Sequence, residues 1–189
     1  MADLEERANV VASGSRQAGA GVSVRRRRVT DLADCVRLLD DVHTADGYPT
    51  DWPDRPADWL TPDGLLAAWV AELDGRPAGH IGLARSTPGD VAPLLWSRRT
   101  GARPELTAVI SRLYVAPAAR GHGIGARLMA NALTHARALG LHPVLDVLAT
   151  DTGAVACYRR LGWTWLGSVD QQWSGGRSVV VQCFAAPRE

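Results

Sequence analysis

The most constraining feature of this chain is the segment Ala116-Pro117-Ala118-Ala119-Arg120-Gly121-His122-Gly123-Ile124-Gly125-Ala126-Arg127-Leu128, where a short turn passes through three spaced glycines into a helix. Leu106 to Val115 before it reads as a strand, with Val109, Leu113 and Val115 in partial alternation. After it, Leu128, Ala132, Leu133, Ala136 and Leu139 line one helical face, and Gly140 with Pro143 stops the helix. The first turn of a helix carries unpaired N–H groups and a partial positive charge, which suits a phosphate. Glycines let the backbone approach that anion closely, and Arg120 and Arg127 add charged donors. Taken alone, the segment specifies an anion site.

The rest of the chain limits what can surround that site. Residues 1–21 are rich in Ala, Gly and Ser and read as a mobile tail, leaving 22–189 as a single domain. Val22 to Val29 reads as a first strand whose run Arg25–Arg28 lies on solvated edges and ends. Thr30 or Asp31 can cap the helix that follows, with Leu32, Val36, Leu39 and Val42 on one face and an end near Gly47. Tyr48 to Pro62 looks irregular. Ala67 to Leu73 and Ala78 to Ala84 form a hairpin about Asp74-Gly75, and Ser86 to Pro104 reads as a long loop. After the glycine-rich helix come a short strand at Val144 to Leu148, a helix from Thr152 to Leu161, a strand from Trp163 to Val169, a turn at Ser174-Gly175-Gly176 and a last strand from Ser178 to Phe184. Such an order gives a mixed α/β sheet, not a pure βαβ repeat.

Composition removes several classes. A formal net charge of +1 provides no global attraction to nucleic acid or an anionic membrane, so an anionic ligand must be held locally. Three cysteines, Cys35, Cys157 and Cys183, stand far apart without CxxC pairing, which argues against a disulfide framework or a zinc site and for a reducing cytoplasm. No apolar run reaches the roughly 18 residues of a membrane span.

Two nucleotide readings of the glycine segment remain to be weighed. Gly-His-Gly-Ile-Gly-Ala satisfies the dinucleotide fingerprint, and Asp146 lies near the expected distance downstream. Against it, Ala116 to Arg120 separate the strand from the glycines, and only about 60 residues follow, short of a doubly wound sheet. A Walker A loop needs Gly-Lys-Ser/Thr, which Ala126-Arg127 does not supply.

The stretch Leu113-Tyr114-Val115 … Arg120-Gly121-His122-Gly123-Ile124-Gly125 resembles the Gln/Arg-x-x-Gly-x-Gly/Ala signature of the GCN5-related N-acetyltransferases. A second family pattern is similar to Leu145-Asp146-Val147 … Asp151 … Ala154 … Tyr158-Arg159-Arg160-Leu161-Gly162-Trp163, and the likeness covers about Val22 to Ala185. The resemblance implies the acyl-CoA N-acyltransferase fold: a mixed, mainly antiparallel central sheet of about seven strands with helices on both faces. It implies acetyl-CoA as co-substrate, no metal, and a homodimer as one possible assembly. It further implies that the backbone of Leu113, Tyr114 and Val115 binds the pantetheine arm. A bulge would splay that strand from Val144 to Leu148, and the N–H near Leu113 would face the thioester carbonyl. The amides of Gly121, His122, Gly123, Ile124, Gly125 and Ala126, with Arg120, would hold the pyrophosphate.

By the same resemblance Tyr158 protonates the departing thiolate, a task for which a phenol with a pKa of about 10 is suited. Some relatives carry a carboxylate at the position of Asp146, which would take the proton of the attacking amine; Glu105, His43 and Asp46 are rivals for that role. Asp151 stands where the family commonly has Asn. It either contacts the cofactor arm or caps the helix at Thr152. Tyr48, Trp52 and Trp59, with Asp51, Asp54 and Asp58, form an aromatic and acidic stretch on the acceptor side, suited to a cationic amine through cation–π contact. The expectation is an N-acetyltransferase acting on a primary amine by direct attack in a ternary complex; the alternative is a non-catalytic acyl-CoA-binding regulatory module.

Overall fold

The computed structural model describes residues 21–173 and 176–188. All of the expected 1–21 tail except Gly21, and most of the Ser174-Gly175-Gly176 turn, lie outside the described residues. Seven strands form one sheet: β1 (Val22–Arg26), β2 (Leu65–Leu73), β3 (Arg76–Arg85), β4 (Thr107–Val115), β5 (His142–Leu148), β6 (Thr164–Gln172) and β7 (Ser178–Ala185). Their order is β1-β2-β3-β4-β5-β7-β6, and every pair is antiparallel except β4 with β5. Five helices cover the two faces: α1 (Leu32–Asp46), α2 (Pro56–Trp59), α3 (Val91–Thr100), α4 (Ile124–Ala138) and α5 (Thr152–Arg160). This is the mixed, mainly antiparallel architecture that the family resemblance implied.

Alternation along the strands sorts side chains between two layers. On one face Ile81, Ile110, Leu145 and Phe184 meet Leu128, Ala132 and Ala136 of α4 and Val155 of α5. On the other, Val70 and Tyr114 meet Leu39 and Val42 of α1, while Val109, Val144 and Cys183 meet Ala92 and Trp96 of α3. The Tyr114 hydroxyl donates to the Cys35 carbonyl at 2.9 Å, which fastens α1 to the middle of the sheet. Asp74-Gly75 turns the β2–β3 hairpin with both residues at positive φ, 53° and 75°, as expected for an Asp-Gly turn matched to strand twist.

Gly79 of β3 sets the distance between the sheet and α4. A Cβ at this position would lie 2.9 Å from Ile124 Cγ2 and 3.0 Å from Leu128 Cδ1, so only glycine lets the first turn of α4 sit this close.

Three expectations need correction. Tyr48 to Pro62 is not wholly irregular, since Pro56–Trp59 forms the one-turn α2 with a proline at its start. The stretch Ser86 to Pro104 is not a long loop: it contains the ten-residue α3. Ala92 and Trp96 are buried four residues apart, Pro93 sits in the first turn where its missing N–H breaks no bond, and Gly101 ends the helix at φ 74°. The prolines and charges that bound this helix hid its periodicity. The run Arg25–Arg28 is also not simply solvated. Arg25 is half-buried in a fork with Asp31, at 2.7 Å and 2.9 Å, and reaches Glu72 at 2.6 Å. The Arg25 guanidinium holds the Asp31 carboxyl down at about 2, helped by the Arg28 N–H, which donates to Asp31 Oδ2 at 2.6 Å. Arg27 turns inward to the Leu60 carbonyl, the Thr61 hydroxyl and His80.

Candidate active site

The site begins at an irregularity in β4. Between the β3–β4 pairs His80↔Tyr114 and Gly82↔Ser111, β3 spends one residue and β4 two, Arg112 and Leu113. Arg112 takes φ +55°, a left-handed conformation that costs a non-glycine residue about 1 kcal/mol or more. This bulge bends the strand. As a result β4 pairs with β5 only over Thr107–Val109 against His142–Val144, and the two strands part beyond that point. The expected V-shaped slot is present, with Leu113, Tyr114 and Val115 on one wall and Asp146 and Val147 on the other.

His80 holds the bulge in place. It is fully buried, stacks on Tyr114 at 5.2 Å, and lies 3.0 Å from the Arg112 carbonyl through Nδ1 and 3.1 Å from an Arg27 nitrogen through Nε2. A guanidinium only donates, so Nε2 accepts and the proton sits on Nδ1, which donates to the carbonyl. Burial pushes the imidazole down to about 4, so it is neutral at physiological pH.

The glycine turn lies at the mouth of the slot. Gly121 and Gly123 have φ of +82° and +70°, and Gly123 is the N-cap of α4. The first α4 bond is Arg127 N–H to the Gly123 carbonyl at 3.2 Å. Among the described residues, the amides of Gly121, His122, Gly123, Ile124, Gly125 and Ala126 donate to no protein acceptor. Six successive free donors at a helix N-terminus fit a pyrophosphate. His122 turns its Nδ1 to the Ala119 and Arg120 carbonyls, and Arg120 pairs with Asp46, which removes Asp46 as a candidate base.

Asp146 and Tyr158 approach the slot from β5 and α5. The Asp146 side chain is open to solvent and has no ion-pair partner among the described residues, yet the surrounding cleft walls and then Asp90 push its carboxyl up. Tyr158 packs on Trp163 at 5.8 Å and Phe184 at 5.9 Å, and its hydroxyl has no hydrogen-bond partner among the described residues. Burial, then Tyr48, Cys157, Asp151 and Asp146, raise its pKa, so the phenol keeps its proton. Asp151 does cap α5: its Oδ1 accepts the Ala154 N–H at 2.9 Å. His43 is turned away, with Nδ1 donating to the Pro49 carbonyl at 2.8 Å and its ring against Trp52 at 5.1 Å.

On the acceptor side, Tyr48 and Trp59 meet edge to face at 6.2 Å, and Tyr48 also lies 6.5 Å from Tyr114. Burial raises the Tyr48 pKa, with Arg112 opposing and Asp146 and Asp151 adding to the rise. Trp52 instead lies outward beside His43, and the neighbouring Asp51 is paired with Arg177 at 2.8 Å. The expected cation over an aromatic ring exists, but it is the protein's own: the Arg112 guanidinium carbon sits 4.8 Å from the Trp59 ring centre.

Sequence reasoning missed Arg112, His80 and Asp90. The trace of the first was present: apolar positions run 108, 110, then 113 and 115, so Ser111-Arg112 breaks the alternation by one residue.

Comparison with known proteins agrees with this geometry. The sequence model of the acetyltransferase (GNAT) family matches residues 32–163. The chain belongs to this family. A mycothiol acetyltransferase of Pseudarthrobacter chlorophenolicus is 39% identical over 103 residues, covering 52% of this chain and 31% of the relative. Its namesake from Cellulomonas flavigena is 38% identical over 106 residues, 56% of this chain and 28% of the relative. The chain thus spans about a third of the length of the curated relatives it matches. Among solved structures, the ribosomal-protein-alanine N-acetyltransferase from Brucella melitensis superposes with a TM-score of 0.64 at 23% identity, over 86% of this chain and 98% of that one. A Salmonella typhimurium structure described as an acetyltransferase with its cofactor acetyl-CoA gives 0.63 at 20% identity, over 87% and 92%. These likenesses establish the GNAT fold. No helix among the described residues is long and apolar enough to cross a membrane.

Proposed function

We propose that this protein moves an acetyl group from acetyl-CoA to a primary amine by direct attack in a ternary complex. The observation that carries this reading is the splay of β4 from β5, which opens at one end on six free amides and at the other on Asp146 and Tyr158. Acetyl-CoA supplies a thioester whose carbonyl carbon accepts the amine nitrogen as the C–S bond breaks. The amides of Gly121 to Ala126 hold the pyrophosphate, and the free β4 edge from Ile110 to Val115 orients the arm. The bulge aims the N–H near Leu113 at the thioester oxygen. Asp146 takes a proton from the ammonium, favoured by a carboxyl already raised toward the working pH. Tyr158, still protonated, donates to the thiolate and regains a proton from the nitrogen, which must shed its second proton as the amide forms.

Calorimetric titration with acetyl-CoA, followed by a CoA-release assay over an amine panel, tests this. The panel includes the acceptor of the reaction for which the mycothiol acetyltransferase relatives are named. Saturable binding with turnover is expected. Binding without turnover on any amine selects a non-catalytic acyl-CoA-binding module, and no binding defeats both readings.

A further inference from the structure

Most half-buried or paired arginines of this protein face a carboxylate: Arg25 faces Asp31 and Glu72, Arg120 faces Asp46, and Arg177 faces Asp51. Among the described residues Arg27 faces none, but both its terminal nitrogens are taken by Leu60, Thr61 and His80. Arg112 differs. Its Nη1 donates to Ser111 Oγ at 2.8 Å, its Nε is buried without a partner, and no carboxylate lies within ion-pair distance among the described residues. Withdrawing a guanidinium from water without a counter-ion is costly, and burial accordingly lowers the Arg112 pKa from its ordinary value; an arginine side chain keeps its charge in proteins nonetheless. Stacking on Trp59 offsets part of that cost.

The bulge decides where this cation stands. Because Arg112 is the extra residue of β4, it joins Tyr114 on the α1–α2 face, against Trp59 and beside Tyr48. An acceptor entering here meets a guanidinium on the aromatic wall and a carboxylate, Asp146, at the slot. A purely cationic amine is repelled by the first. Val109↔Val144 is the last β4–β5 pair, so Arg112 stands three residues and Asp146 two residues past the fork, on the two strands that face each other across the slot.

Resting on the acetyltransfer reading above, we propose that the acceptor is a small amine that also carries a carboxylate: its ammonium is presented to Asp146, and its carboxylate is bound by Arg112. The planar fork of arginine matches a carboxylate through two parallel N–H bonds.

The test uses the full chain with acetyl-CoA and matched acceptors: phenylalanine against phenylalaninamide, and β-alanine against 2-aminoethyl phosphate. The wild type is expected to favour the acid over its amide by about 10-fold or more in kcat/KM. Arg112→Gln should lower kcat/KM for the acid by about 30-fold, mostly through KM, and for the amide much less, with Arg112→Lys recovering part of the loss. Calorimetry should show acetyl-CoA affinity retained in both variants. Equal losses on acid and amide overturn the proposal while acetyl transfer stands. A preference for the phosphate overturns the carboxylate assignment. A second arm does not depend on turnover: benzoate, titrated into the CoA-bound protein, should shift a tryptophan indole resonance saturably in the wild type and not in Arg112→Gln. No saturable shift, or the same shift in the variant, defeats the proposal whether or not any amine is acetylated.

Discussion

His80 donates from Nδ1 to the carbonyl oxygen of Arg112 at 3.0 Å, and so a buried neutral imidazole secures the one left-handed residue of β4. The same ring accepts from Arg27 through Nε2, and it is this second bond that protonation would abolish. Protonation would set two positive groups against each other inside the core.

Acid should therefore loosen the protein in a defined window. The His80 pKa is depressed from about 6.5 unfolded to about 4 folded, so between these values the unfolded chain binds the extra proton. Its contribution is complete above pH 6.5 and declines as pH falls toward 4, by on the order of 3 kcal/mol. His135 and His142 are lowered too and add in the same direction. The Asp31 loss comes later, as pH drops from about 3.8 toward 2. Urea unfolding at pH 7, 5.5 and 4.5 should show a shallower decline in His80→Asn than in the wild type. Parallel declines would remove His80 as the cause.

The raised carboxyl of Asp146 predicts a rate that grows with pH. Its ionised form is the base, so kcat/KM should climb through an inflection above the ordinary aspartate value. Asp146→Asn should lower kcat by about 100-fold and flatten that limb, with acetyl-CoA affinity retained. An unaltered pH profile would pass the role to another group.

For Tyr158 the expected signature lies in turnover, not binding. Tyr158→Phe keeps the contacts with Trp163 and Phe184 and removes only the unpartnered hydroxyl. The rate should fall by about 100-fold with the acetyl-CoA dissociation constant little changed. An unchanged rate would strip Tyr158 of its assignment.

Gly79→Ala probes the seat of the amide turn. Its Cβ would meet Ile124 and Leu128 below ordinary contact distance, and both belong to the first turns of α4. Pushing that helix off β3 should cost about 1–3 kcal/mol of stability and weaken acetyl-CoA binding together. Thermal melts and calorimetry on one preparation read both; a loss of stability with full affinity would show that the turn is seated by something else.

How much of this was legible in the residues follows from the kind of signal each element leaves. The α4 turn, the Asp74-Gly75 hairpin and the Asp151 cap are local: their backbone geometry is written in consecutive residues, and the structure has all three. α3 was lost because Pro93 and the charged Arg98-Arg99 look like loop residues until Ala92 and Trp96 are known to face β5 and β7. The roles of His80 and Arg112 were invisible for a different reason. Each depends on a partner 32 or more positions away or on a register shift between strands, and no single stretch records either. Trp59 was singled out as an aromatic wall for a cation, but only the fold shows that the cation is Arg112.

The parting of β4 and β5 has a consequence for the sheet as a whole. Past Val109 and Val144 two inner strands turn unpaired edges toward each other, so the protein folds around a strand-shaped vacancy at the centre of its own ladder. Exposed edges on the rim of a sheet invite other chains, whereas these two edges face each other inside it. Pantetheine, with its two amides along a slender arm, can serve as the missing strand. On this view the co-substrate is a structural member as well as a reactant. In the proposed complex the arm would tie together two halves of one sheet that β4 and β5 join through only three residue pairs.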